Sequence, residues 1–149
     1  MVQRGSRFLV EGELSAWHRD LMGSSGLQGA VLAALAHYLQ RQDYDEGIQV
    51  GGGTVSVNAP AIRRLWGSLT QDQTPKEMST VKALKTLSNG KTVRRNTSTG
   101  RLRFYQVSGE DVLRTAENLQ IGDTDIMRDY LYSDPDNYQP PGVLHAVTS

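Results

Sequence analysis

The chain has 149 residues, 38% hydrophobic and 21% charged, with no cysteine and a formal net charge of zero. That length suits one domain burying roughly 68–70% of its unfolded surface, and the missing cysteine excludes disulfides, Cys-ligated zinc and thiol nucleophiles. No run approaches the ~18 apolar residues of a membrane span, and "MVQRGSRFLVEGE" meets charge too early for a secretory signal, so a soluble, cytoplasmic protein is expected.

Residues 1–22 read as an N-terminal arm, an extended "RFLVEG" followed by a short helix around "ELSAWHRDLM". "SGLQGAVLAALAHYLQRQ" then opens with Ser25 and Gln28 in capping-box spacing, each side chain placed to satisfy a free backbone N–H. Leu27, Val31, Leu35 and Leu39, with Ala34 and Tyr38, recur at helical spacing, which predicts the central core helix. "IQVGGGTVSV" reads as a short strand or hairpin turning on glycine. Asn58 caps a second helix, Pro60 lies in its first turn, and Ile62, Leu65, Trp66 and Leu69 share one side.

"TPKE" is the clearest start signal in the chain: Thr74 as N-cap, Pro75 at N1 and Glu77 at N3. The spacing predicts a third helix burying Met78, Val81, Leu84 and Leu87, with Ser79, Lys82 and Thr86 opposite and Lys76 beyond them. "SNG", Ser88 to Gly90, supplies residues that tolerate a left-handed helix end. Two strands follow, "TVRRN" and "RLRFYQV", joined by "TSTG" as a hairpin. A fourth amphipathic helix is expected in "GEDVLRTAENLQI". The acidic, tyrosine-bearing remainder is too apolar for a solvating tail, and an ordered arm packed on its own domain or on a partner is expected.

The zero total conceals a segregation of charge. Residues 1–59 balance at −2, residues 60–107 carry ten basic and two acidic residues, and residues 108–149 balance at −6. A merely salted surface mixes its signs; a basic middle between acidic ends points to a polyanion partner.

Helix, short strand, helix, polar turn, helix with a bare cationic face and then a basic hairpin resembles the winged helix-turn-helix superfamily. The likeness covers about residues 25–120 and is strongest in "MSTVKALKTLSNGKTVRRNTSTGRLRFYQVS". It implies an α+β fold, a three-helix core with a small antiparallel sheet and a wing, with a domain at 23–121, the arm at 1–22 and an acidic extension at 122–149. It also implies a third helix in the DNA major groove, and a wing on the backbone or minor groove. By position, the DNA-binding residues are then Lys76, Ser79, Thr80, Lys82, Lys85 and Thr86 on the helix, and Lys91, Arg94, Arg95, Arg101 and Arg103 on the wing.

Residue chemistry points the same way. A helix N-terminus offers N–H groups to phosphate, Lys and Arg bond purine acceptors, and arginines on a hairpin suit phosphate and narrow-groove contact. The bland reading of the same features is a solvated helix face, with arginines that protect a sheet edge.

Catalytic signals are weak. "GSSGLQG" lacks the strand and lysine of a phosphate loop, and His18, His37 and His145 are far apart. "DTDIMRD" lacks the glycine and closing glutamate of a calcium loop. The expectation is a non-enzyme without metal or cofactor: a nucleoid-associated regulator, or a replication or partition factor, that binds double-stranded DNA. It is expected to pair as a homodimer, or with a partner protein, through the terminal extensions. Two alternatives stay open: an adaptor subunit of a larger assembly, and binding of RNA or a guide-target duplex.

Overall fold

The structure, a computed structural model, describes residues 26–42, 44–70 and 75–133. Ser25, Thr74, His18, His145 and the arm at 1–22 lie outside the described residues, as do the residues after Ser133 and the Leu69 side chain. Helix α1 (Gly26–Arg41) leads to strands β1 (Ile48–Gly51) and β2 (Thr54–Val57), then α2 (Ala59–Thr70) and α3 (Glu77–Ser88). Strands β3 (Thr92–Thr97) and β4 (Gly100–Ser108) follow, and α4 (Gly109–Leu119) and α5 (Thr124–Leu131) complete the order. The class is α+β, built on a four-stranded antiparallel sheet in the order β1-β2-β4-β3. No described helix is long and apolar enough to cross a membrane.

Helix α1 is the hub, as its periodicity predicts. Val31, Leu35 and Leu39 are fully buried, His37 and Tyr38 nearly so, and α1 touches α2, α3, α4 and α5. Each such aliphatic side chain removed from water contributes about 1.5–3 kcal/mol. The sheet supplies Ile48, Val50, Val55, Val57, Tyr105 and Val107 to the same core. "VGGGT" closes the β1–β2 hairpin through Gly52 (φ 64) and Gly53 (φ 84), a two-residue turn whose left-handed pair suits glycine. Asn58 caps α2 as expected, its Oδ1 accepting from the Ala61 N–H at 2.9 Å.

The acidic segment beyond residue 122 is part of this core as far as Leu131. Asp123 caps α5 by accepting from the N–H groups of Asp125 and Ile126, so this aspartate serves a helix start. Ile121, Met127, Tyr130 and Leu131 join the common cluster. Backbone bonds stitch α5 to the hairpin turn: Gly52 N–H donates to Ser133 O and Gly53 N–H to Leu131 O, both at 3.1 Å.

Two expectations for α3 are corrected. The helix begins at Glu77, not at Pro75, with Lys76 in the N-cap position and no side-chain cap. Met78, expected inside, is 85% exposed, whereas Thr80, expected on the free face, is fully buried. The reason is geometric. Residues 78 and 87 are nine apart, roughly 180° around a helix, so they cannot share one face. The core takes Thr80, Ala83, Leu84 and Ser88, with Leu87 packed against it. Thr80 is tolerated there because its hydroxyl donates to the Lys76 carbonyl at 3.0 Å.

Candidate nucleic-acid interface

Helix α3 is fixed at both ends. Arg63 Nε donates to Pro75 O at 3.1 Å just ahead of its first turn. At the other end Asn89 (φ 53) and Gly90 (φ 78) are both left-handed, and their N–H groups return to Thr86 O and Lys85 O at 3.1 Å. That closure satisfies the last carbonyls and turns the chain at once. Lys91 donates to Ser88 O and accepts from the Gln106 N–H, both at 3.0 Å. The wing therefore starts directly from the end of α3.

With Thr80 inside, the exposed residues of α3 are Glu77, Met78, Ser79, Lys82, Lys85 and Thr86, with the exposed Lys76 in the N-cap position ahead of them. Thr86 Oγ1 donates to Lys82 O at 3.1 Å. Glu77, Met78, Val81, Lys82 and Lys85 rim an open depression of about 340 Å³. A thioether at its edge makes this face part apolar, which charge-pattern reading missed; the nine-residue offset from Leu87 was the signal that placed Met78 outside.

The register of the wing sorts its arginines. Arg94 faces Arg103, Arg95 faces Leu102, Asn96 faces Arg101 and Val93 faces Phe104. Side chains alternate along a strand, so Arg94, Arg101 and Arg103 share one face. Arg95 projects from the other, which carries Val93, Leu102 and the fully buried Phe104. Thr97 Oγ1 braces the tip by donating to Gly100 O at 2.7 Å. A longer tether holds the tip to the body: the Ser98 N–H donates to Glu46 Oε1 at 2.6 Å. No local pattern announces a contact spanning that much chain.

Pairing separates these cations from the rest. Arg64 meets Asp45 at 2.9 Å, Arg114 meets Asp111 at 2.9 Å and Arg128 meets Glu110 at 3.1 Å. By contrast Lys76, Lys82, Lys85, Lys91, Arg94, Arg95, Arg101 and Arg103 are exposed and have no acidic partner among the described residues. Thr80 alone of the expected contact residues is withdrawn from this surface. No family model, no characterised protein and no solved structure matches the chain.

Proposed function

We propose that the chain is a double-stranded DNA-binding protein of the winged-helix type, with α3 in the major groove and β3–β4 as the wing. The observation that carries this reading is the set of eight exposed cations on one helix and the hairpin it feeds, none with an ion-pair partner among the described residues. Arg64, Arg114 and Arg128 sit beside carboxylates, whereas the bare cations are open to an anion from outside. The topology supports the same reading: β2, which precedes the two helices, pairs with β4, the second strand of the hairpin. A winged helix has that arrangement, and β1 adds an outer strand. Under this reading the chain acts by binding rather than by catalysis, in a nucleoid-associated regulator or a replication or partition factor. A second copy or a partner protein pairs through the terminal extensions, with Met127, Tyr130 and Leu131 of α5 excepted because they pack within the chain.

The test is a mobility shift on duplex DNA, single strands and RNA at two salt concentrations. Duplex affinity should fall by roughly 0.9 log units per contacted phosphate per log unit of salt. Lys82→Ala should relax preference at one base position by about 1–3 kcal/mol. Arg95→Ala and Arg101→Ala, on opposite faces of the wing, should differ, and the one that weakens every sequence evenly marks the backbone-facing side. Absence of any nucleic-acid binding at low salt would hand the basic face to an acidic protein partner. Preference for RNA would select the shape-reading alternative.

A further inference from the structure

We propose that the cavity beneath the wing tip binds a small organic cation, and that its occupancy is coupled to the pose of the wing. The cavity measures about 580 Å³, inside the ~300–1,000 Å³ range of small-molecule sites. It is lined by parts of the chain far apart in sequence: Tyr38 of α1, Tyr130 of α5, Tyr44 and Glu46 before β1, and Asn96 and Ser98 at the wing tip.

The chemistry of the walls selects the ligand. Three phenol rings and two carboxylates line the space, and no Lys, Arg or His is among the lining residues. In a chain whose neighbouring hairpin is strongly basic, that lining disfavours phosphates and carboxylates and favours ammonium or amidinium groups, which aromatic faces attract. Tyr38 and Tyr130 are nearly fully buried and Tyr44 is 60% exposed, so the Tyr44 ring is the aromatic face open to a ligand.

The two acids are not equivalent. Asp45 is engaged by Arg64 at 2.9 and 3.2 Å and by the Gly47 N–H at 2.8 Å. Glu46 has no ion-pair partner among the described residues, and its contact with the wing is the Ser98 N–H bond at 2.6 Å. A cation drawn to Glu46 competes with that N–H, releases the tip and weakens the grip of the wing on a duplex. By linkage, DNA weakens cation binding by the same factor. The coupling rests on the DNA reading; the cation site does not.

Calorimetric titration of the full chain with benzyltrimethylammonium chloride, against sodium benzoate at fixed ionic strength, tests the site. Saturable binding of the cation alone is expected. Glu46→Gln should weaken it by about tenfold, equivalent to ~1.4 kcal/mol, and Tyr44→Ala should weaken it too. Thermal melts must show both variants as folded as wild type, and Asn96→Ala serves as the second wall variant if either is not. Equal binding of benzoate, no saturable heat by about 10 mM cation, or a Glu46→Gln variant that binds like wild type would overturn the site. Mobility shift on a selected duplex then tests the coupling: saturating cation should lower the affinity of wild type and leave Glu46→Gln unmoved. Unchanged wild-type affinity overturns the coupling, and a chain that binds no nucleic acid overturns the DNA reading while the titration still decides the site.

Discussion

Arg94 and Arg103 stand directly opposite each other across the β3–β4 ladder, two guanidinium side chains on one face with no acid between them. Directly opposed like charges destabilise a strand pair by about 0.2–1 kcal/mol. An arrangement that costs stability in the free protein becomes favourable once a phosphate lies between the two. Arg103→Ala should therefore raise the stability of the free protein by a few tenths of a kcal/mol to about 1 kcal/mol in urea unfolding, while weakening duplex binding. A loss of stability on this substitution would remove the account of the pair as an anion clamp.

Met78 and Leu84 lie on the same helix, with opposite fates. Leu84→Ala removes a fully buried side chain and should cost about 2–5 kcal/mol. Met78→Gln, at an 85% exposed position, should stay within about 0.5 kcal/mol of wild type. Under the proposed placement of α3 in the major groove, the same variant should alter duplex selectivity, because an apolar group there is suited to a thymine methyl. Chemical denaturation and a selectivity measurement on thymine-to-uracil duplexes settle both halves.

Glu110 on α4 accepts from the Tyr132 hydroxyl at 2.5 Å and from Arg128 at 3.1 Å, clipping α5 to α4. The Tyr132 bond first, then the Arg128 charge, hold the Glu110 carboxyl below its ordinary value of 4.5. A lowered folded-state value adds stability that is complete above the ordinary carboxylate range and disappears as pH falls through it. Tyr132 is raised by the same contact, so its share is present below the usual phenol range and vanishes above it. Glu110→Gln should flatten the acid limb of the stability profile between about pH 5 and 3, and added salt should shrink the difference. Parallel profiles for wild type and variant would refute the clip.

Gly109 begins α4 where the chain is crowded. A methyl group there would meet the Leu131 side chain, and would lie 2.7 Å from Gly53 O. Backbone on one side cannot yield cheaply, so Gly109→Ala should cost about 1–3 kcal/mol, read as a lower thermal midpoint. A neutral effect would refute the crowding of Gly109 against Leu131 and the Gly53 carbonyl.

Local chemistry in the sequence anticipates much of this molecule. The apolar period of α1, the Asn58 cap, the Asn89-Gly90 stop and the glycine turn before β2 are each fixed by residues within a few positions of one another. What escaped notice depends on distant chain. Apolar residues at three-residue intervals drift around α3, and packing on α1, α2 and β4 selects Thr80 over Met78 for its buried stripe. The Glu46–Ser98 tether and the cavity below it join segments some fifty residues apart, which no window of sequence displays. The basic face was legible as composition. Its freedom from acidic partners was not, because pairing is a property of space.

The stitching of α5 to the β1–β2 turn bears on where the molecule can be cut. Ending the chain at Ile121, where the acidic stretch begins, would strip Gly52 and Gly53 of their carbonyl acceptors and open the cluster around Met127, Tyr130 and Leu131. Tyr130 also forms a wall of the cavity under the wing tip, so the same cut would leave that cavity roofless. Trimming the acidic end at any point up to Ser133 is therefore a cut into the scaffold.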